Sequence, residues 1–286
     1  MSSLLRQQMV EHMMLRNYSD RTINSYVDAV VGLVKHYWVP PDWVSPEEIS
    51  DQQIQEYLLY RKREQGISWN TNHLCMYGIR YLYKEILGRE FTPYMPPGRK
   101  TRRRLPQALS REEVQALFAV TRNLKHRTVL MTLYGTGMRS SELTHLKPQH
   151  IESQRGLIRI ERGKGQKDRY TLLPERLLEQ LRRYYSAFRP QPWLFPGRDE
   201  NKPMTLRTVE SIYRRAKEKA GITRGHGPHT LRHSFATHIV EDTGDIVALK
   251  QLLGHRALST TTQYTHVSRR HIATIKSPLD ALYHEA

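Results

Sequence analysis

Residues 157–173 read LIRIERGKGQKDRYTLL, and this stretch decides the fold class because its hydrophobic period is two within a chain whose pattern is otherwise helical. The apolar and branched residues at 157–160 and again at 170–173 predict two short strands. The polar segment 163–168, which contains two glycines, predicts the turn that joins them. We therefore expect a mainly α fold that contains a small antiparallel β-hairpin.

The first ninety residues contain four segments in which apolar residues recur at helical spacing. Ser19 or Asp20 would cap the second segment, and Ser50 and Ser68 would cap the third and the fourth. Four short helices predict a small bundle, which we assign to an N-terminal domain over residues 1–91. The segments cover 2–15, 20 to the Pro40–Pro41 pair, 51–64 and 69–87.

A proline-rich basic stretch, 92–106, follows this domain and predicts a linker. Prolines disfavour regular structure, and cations packed this closely repel one another unless a polyanion lies beside them. We interpret the run as a strap that lies along a phosphate backbone, and a solvated hinge is the alternative. Its five cations are Arg99, Lys100, Arg102, Arg103 and Arg104.

Residues 107–286 form the second predicted domain. Ser110 and Glu113 have the spacing of a capping box at the start of a helix. Apart from the hairpin, helical spacing continues through this domain, with loops expected around 190–203 and 221–228. Helices are expected at 112–120, 125–133, 140–146 and 206–219.

The chain of 286 residues carries 45 Lys and Arg against 28 Asp and Glu, which gives a formal net charge of +17. Such a charge favours a polyanionic partner, because neutralising phosphates releases counterions, although it does not separate DNA from RNA or anionic lipid. The single cysteine, Cys75, excludes an internal disulfide and indicates a reducing compartment. No apolar run approaches the roughly 18 residues of a membrane helix, so we expect a cytoplasmic protein with no membrane partner.

Five short motifs in the second domain carry arginine, lysine, histidine or tyrosine, and each is weak evidence by itself. His229, His233 and His238 suggest a metal site, but no His-Glu-x-x-His run or cysteine pair is present. The glycines at 163–165 lack the spacing of a phosphate loop and lead into a strand. Neither a metal nor a nucleoside triphosphate is therefore expected. The motifs are 135–142, 163–165, 229–233, 253–255 and 263–266.

In their order along the chain, these motifs resemble the tyrosine site-specific recombinases of the phage integrase family, and the resemblance covers nearly the whole chain. It implies a SAM-like N-terminal helical domain that binds core DNA sites, a basic linker and a mixed α/β catalytic domain. The family's nucleophile falls on Tyr264, nine residues after His255, and Glu142 matches the acidic position that supports the first arginine. The implied catalytic residues are Arg139, Lys164, His229, Arg232, His255 and Tyr264.

These residue types suit the implied chemistry. Two guanidiniums offer forked hydrogen bonds to the non-bridging oxygens of an attacked phosphodiester, where negative charge grows. Attack by Tyr264 would leave a 3′-phosphotyrosyl ester that keeps the energy of the broken bond, so that a 5′-hydroxyl can rejoin the strand without any cofactor. His229 would accept or orient the tyrosine proton, His255 would bind a phosphoryl oxygen, and Lys164 would protonate the leaving 5′-oxygen.

The resemblance also implies how DNA is held. Two domains would close around double-stranded DNA, and four copies would assemble on a pair of recombination sites. Helix 206–219 would approach the phosphates with Arg207, Arg214 and Arg215. The segment from 268 to the end would either pack on its own domain or exchange with a neighbouring subunit, and the sequence identifies no accessory protein.

Several roles fit a protein of this kind. Residues 277–280 resemble integron integrases, but 187–195 leaves no room for the extra segment of those enzymes. Integration or excision of a mobile element is therefore favoured, with Xer-like resolution of chromosome or plasmid dimers as the alternative; either would act on a prokaryotic nucleoid. A non-catalytic DNA-binding protein would not need all six residues, and a type IB topoisomerase would share the tyrosine chemistry without exchanging strands between duplexes.

Overall fold

The computed structural model describes residues 3–38, 44–90, 107–161, 168–254 and Thr261. The chain separates into two compact units, Met1–Arg103 and Arg104–Ala286, and each has its own hydrophobic core. The predicted linker, 92–106, lies outside the described residues. No helix in the described part of the chain is long and apolar enough to cross a membrane.

Among the described residues of the first unit, four α-helices follow one another as the sequence predicts. Ser19, Ser50 and Ser68 cap the second, third and fourth helices, and each hydroxyl accepts a backbone N–H at 3.2–3.3 Å. Tyr81 ends the fourth helix, which continues as a π-helical turn over Leu82–Ile86, where the sequence predicts a regular helix. The helices are α1 (Ser3–Leu15), α2 (Asp20–Tyr37), α3 (Asp51–Arg63) and α4 (Trp69–Tyr81).

The core of this unit depends on a close approach of α2 and α4. A Cβ on Gly78 would lie 2.9 Å from the Cα of Tyr26, so only glycine allows the two backbones to come this near. Val30 and Leu33 on α2 and Ile79 on α4 are completely buried beside this contact. The first unit is therefore a small helical bundle, as the sequence predicts.

The second unit is also mainly helical and contains an antiparallel three-stranded sheet in the order β1-β2-β3. The predicted hairpin is confirmed as β2 (Leu157–Ile160) and β3 (Arg169–Leu172), with Ile158 opposite Thr171. Pairing with β2 adds β1 (Ile151–Glu152), which the sequence does not predict because two residues cannot show a period. The mainly α fold class with a small antiparallel sheet is therefore confirmed.

Seven helices surround this sheet in the described residues of the second unit. Ser110 caps the first of them in the predicted capping box: its hydroxyl accepts from the N–H of Glu113, whose carboxylate accepts from the Ser110 N–H. The helices are α5 (Arg111–Ala119), α6 (Leu124–Thr136), α7 (Ser140–Thr144), α8 (Glu175–Phe188), α9 (Leu206–Lys219), α10 (His229–Thr243) and α11 (Ile246–Leu253).

The end of α6 meets α10 and α11 at Gly137. This residue has a φ of 61°, in the left-handed region that favours glycine. A Cβ here would overlap the ring of Phe235 on α10 and lie 3.0 Å from Cδ2 of Leu253 on α11. The chain can therefore turn sharply from α6 towards Arg139 while the ends of α6 and α11 remain packed against the side of α10.

Replacing Gly137 by alanine is expected to destabilise the protein by about 3 kcal/mol, because the positive φ and the overlap with Phe235 both oppose a side chain. Gly156→Ala is the matched control: its φ is 65°, but no atom lies within 4 Å of the added methyl group, so about 1 kcal/mol is expected. Urea unfolding of both variants measures the difference. Equal losses would show that Phe235 does not fix this turn.

Candidate active site

Arg139 and Glu142 form an ion pair at the start of α7. Oε2 of Glu142 accepts the backbone N–H of Arg139 at 2.7 Å, and Oε1 accepts Nη1 of the same residue at 2.8 Å. The glutamate side chain is only 7% exposed, whereas that of Arg139 is 25% exposed. Glu142 therefore fixes the direction of an arginine that still reaches the surface, and its supporting role in the chemistry stays a prediction.

A second arginine, which the sequence does not single out, completes this arrangement. Nη1 and Nη2 of Arg169, at the start of β3, donate to Oε1 and Oε2 of Glu142, both at 2.8 Å. Burial by itself would raise the pKa of Glu142, but the hydrogen bond and charge of Arg169, with smaller contributions from Arg139, lower it to about 2. The carboxylate therefore stays ionised throughout the neutral range.

Arg232 lies one turn into α10 and is almost completely buried, with 2% exposure. Its Nη1 donates to the carbonyl oxygen of Gly137 at 2.7 Å, and its Nη2 donates to that of Leu253 at 2.8 Å. One guanidinium thus joins the end of α6, which leads to Arg139, to the end of α11, which leads to residue 255. The structure brings two predicted arginines to one place.

His229, the first residue of α10, lies at the surface beside these arginines. The surrounding protein partly desolvates its ring, which lowers the pKa, and the charges of Arg232 and Arg139 lower it further. The imidazole is therefore neutral at pH 7 and can accept a proton. The ring of His233 meets that of His229 edge to face at 4.6 Å between centroids, and its own pKa is lowered to about 4.

The third histidine of this helix turns elsewhere. Nδ1 of His238 lies 2.9 Å from the hydroxyl of Tyr134, with which it shares a hydrogen bond. Within the described ranges, no group of three or more His, Cys, Asp or Glu side chains could hold a metal ion. The helical spacing of the three histidines therefore does not bring them together as ligands.

The C-terminal end of α11 is held against β3. The helix stops at Gly254, whose φ is 62° and whose Cβ, if present, would lie 2.8 Å from Cδ of Arg169. Nε of Arg169 also donates to the carbonyl oxygen of Leu252 at 3.2 Å. The backbone that leads directly to the predicted His255 is therefore fixed by arginine side chains.

Three predicted catalytic residues, Lys164, His255 and Tyr264, lie outside the described residues. The five basic residues predicted to contact phosphates in the linker also lie outside them: Arg99, Lys100, Arg102, Arg103 and Arg104. In the sequence, Lys164 stands on the connection between β2 and β3.

The three arginines predicted on α9 do not share one face. Arg207 and Arg214 line a cavity of about 620 Å³ together with His226–Pro228, the segment immediately before His229. Arg215 lines a different cavity with Arg122, His126 and Lys219. Positions 207 and 214 are two turns apart, whereas 215 is rotated by about 100° from 214. Arg207 and Arg214 therefore share one surface and Arg215 lies on another, and the contact of all three with DNA stays a prediction.

Comparison with known proteins gives the family. The model of the phage integrase family matches residues 107–271, more than half of the chain, and that of the phage integrase N-terminal SAM-like domain matches residues 5–92. This chain belongs to the phage integrase family. The family predicted from the order of the motifs is thus confirmed.

Individual relatives agree with this membership. A Sinorhizobium fredii protein described as integrase/recombinase y4qK is 37% identical over 97% of this chain and 89% of its own length. The tyrosine recombinase XerA of Thermococcus kodakarensis is 38% identical over 73% of this chain and 75% of its own length. Family and relatives together make this phage integrase family member a tyrosine recombinase, an enzyme of site-specific DNA recombination.

A solved structure shares the fold. The crystal structure of a lambda integrase tetramer bound to a Holliday junction superposes with a TM-score of 0.71 at 17% identity, over 91% of this chain and 76% of that one. At this identity the match supports the fold alone.

Arg169 remains the residue that sequence reasoning missed, because one arginine among 45 basic residues carries no signal of its own.

Proposed function

We propose that this recombinase cuts and rejoins DNA strands at specific sites through a 3′-phosphotyrosyl intermediate on Tyr264. The observation that carries the proposal is the guanidinium of Arg232, which bridges the carbonyl oxygens of Gly137 and Leu253. That bridge brings the segment leading to Arg139 beside the segment leading to His255. A single phosphate group could therefore be reached from both.

The proposed cleavage step divides the work among these residues. The hydroxyl oxygen of Tyr264 attacks phosphorus and gives its proton to neutral His229, while the bond to the 5′-oxygen breaks and that oxygen takes a proton from Lys164. Arg139 and Arg232 supply positive charge to the non-bridging oxygens, where a charge-assisted hydrogen bond is typically worth about 1.5–3 kcal/mol. Religation runs the same step backwards, because a 5′-hydroxyl attacks the phosphotyrosyl ester, and no cofactor is consumed.

The starting state of the nucleophile explains why so much positive charge is gathered here. A free tyrosine with a pKa of about 10 is only about one part in a thousand ionised at neutral pH, a deficit near 4 kcal/mol. Cationic neighbours and a neutral histidine reduce that deficit by stabilising the phenolate and by accepting its proton. The same groups then stabilise the charge that develops on the phosphate.

Each part of the chain has a separate role in the proposed reaction. Residues 1–91 form the SAM-like domain that binds the core DNA site, 92–106 the basic linker, and 107–286 the catalytic domain. The basic residues of the linker contact the phosphate backbone of the DNA. A homotetramer on paired double-stranded sites carries out the exchange. The enzyme acts on DNA of the nucleoid in the cytoplasm.

Arg207→Ala and Arg214→Ala are each expected to weaken binding to a duplex carrying the target site by about tenfold. Each should also reduce the slope of log K against log[salt] by about one, because each removes a phosphate contact beside His229. Titrations of the full chain at several salt concentrations measure both effects. Arg215→Ala is the matched control on the neighbouring face and should change affinity by less than about threefold. Equal losses for all three variants would contradict this placement.

The favoured role is integration or excision of a mobile element, and Xer-like dimer resolution is the alternative. Sequencing the DNA that the chain traps covalently in cells separates the two. Sites at the ends of an element support the first role, whereas one site per chromosome or plasmid supports the second. The same experiment supplies the duplex needed for work with the purified protein.

The activity itself is tested with two labelled duplexes that carry the recovered site. The proposal predicts a covalent protein–DNA adduct and exchange of strands between the duplexes in a buffer that contains EDTA. Relaxation of supercoiled DNA with an adduct but without exchange would favour a type IB topoisomerase. Binding without an adduct would leave a non-catalytic DNA-binding protein.

A further inference from the structure

Arg169 joins three segments of the candidate active site through one side chain. Its two terminal nitrogens hold both carboxylate oxygens of Glu142 at 2.8 Å. Its Nε donates to the carbonyl oxygen of Leu252. Its Cδ packs so closely against Gly254 that a Cβ on that residue would lie only 2.8 Å away. In sequence it opens β3, directly after the connection that contains Lys164.

We propose that Arg169 is a positioning residue that holds Arg139 and the C-terminal end of α11 in one fixed arrangement for strand cleavage. The inference rests on the proposed function, since Arg139 and His255 receive their roles there. All three guanidinium nitrogens of Arg169 donate to protein atoms, so we assign it a role through these partners.

The shape of the guanidinium matters more here than its charge. A bidentate pair with a carboxylate needs two parallel N–H groups, and a third donor on Nε must point towards α11. An ammonium group at this position would be a single point charge on a flexible stem. Lysine could approach Glu142 or the carbonyl oxygen of Leu252. It could not make the two parallel hydrogen bonds to Glu142 and the bond to Leu252 at the same time.

Loss of Arg169 should be felt at Arg139. The charged groups that lower the pKa of Glu142 are Arg169 and Arg139, against a burial that raises it. Without Arg169, Arg139 is the cationic partner that the buried carboxylate keeps among the residues that the structure describes, so its pKa rises and it takes up a proton more readily. A protonated Glu142 holds Arg139 weakly, and the arginine then samples orientations that do not face the phosphate.

The test compares Arg169→Met and Arg169→Lys with wild type in the full chain, on a nicked duplex that traps the cleaved state. We expect DNA affinity within about threefold of wild type and single-turnover cleavage slowed by about 10²-fold in both variants. In Arg169→Met the rate should fall further as the pH is lowered from 7 to 5, whereas no loss from protonation of Glu142 is expected in wild type. Adding Glu142→Gln to Arg169→Met should cost less than threefold more.

Arg155→Met is the matched control, because it removes an arginine of the same sheet region that pairs with half-buried Glu152 and lies over the ring of Tyr170 at 5.2 Å, without a contact to Glu142 among the described residues. It should cleave at the wild-type rate. Wild-type cleavage rates and pH profiles in both Arg169 variants would overturn the proposal, and so would a loss that adds fully to that of Glu142→Gln. If Arg169→Met does not fold, Arg169→Lys alone decides between these outcomes. Failure of the wild-type chain to form any adduct would instead reject the proposed function.

Discussion

Tyr264→Phe is expected to abolish the covalent protein–DNA adduct while leaving DNA binding intact. The substitution removes one oxygen atom, so the contacts that hold the duplex are kept, but the group that attacks phosphorus is lost. Because phenylalanine has no oxygen that could attack phosphorus, cleavage should fall by at least about 10⁴-fold. Denaturing gels with a labelled nicked duplex measure the adduct, and native gels measure binding.

Tyr283→Phe is the control for this experiment. It removes the hydroxyl of another tyrosine in the C-terminal part of the chain. No histidine stands nine residues before Tyr283. Adduct formation at the wild-type level is expected. An adduct that survives Tyr264→Phe and disappears with Tyr283→Phe would mean that the nucleophile has been assigned to the wrong residue.

Arg232→Lys is expected to slow cleavage by about 10³-fold and also to destabilise the fold by about 2 kcal/mol. The catalytic loss follows because an ammonium group keeps the positive charge but not the forked donors that a preorganised guanidinium offers to the non-bridging oxygens. The loss of stability follows because the carbonyl oxygens of Gly137 and Leu253 are each bonded to a different nitrogen of this guanidinium, and an ammonium group cannot serve both. Single-turnover cleavage and urea unfolding of the full chain measure the two effects.

Arg139→Lys separates these two contributions. Arg139 is partly exposed and bonds only to Glu142 in the described part of the chain, so the variant should lose cleavage about as severely while its stability changes by less than about 1 kcal/mol. Binding of the duplex should stay close to wild type in both variants. A normal cleavage rate in Arg139→Lys would remove Arg139 from the proposed chemistry.

Local sequence patterns predict much of this fold. Serines placed before amphipathic segments start α2, α3 and α4 where expected, because a hydroxyl that accepts a backbone N–H needs only nearby residues. The hairpin is predicted for the same reason. The π-helical turn at Leu82–Ile86 and the two-residue β1 depend on packing with distant elements, and no local period announces either of them.

The candidate site shows the same division. The family resemblance implies that Glu142 supports Arg139, and the two residues stand only three positions apart at a helix start. Arg169 lies 27 residues further along and meets Glu142 only in the folded chain. The separation of Arg215 from Arg207 and Arg214 likewise depends on which neighbours line each side of α9. Motif order identifies the chemistry, and the folded chain shows how its groups are held.

In the proposed reaction, a tyrosine oxygen of this chain carries the broken DNA strand. Its most direct test is to trap the adduct in EDTA on a nicked duplex, digest the protein and DNA, and locate the attached nucleotide by mass spectrometry. We expect a 3′-phosphate ester on the peptide that contains Tyr264. Cleavage that requires added divalent ions and leaves no protein attached to either DNA end would contradict it.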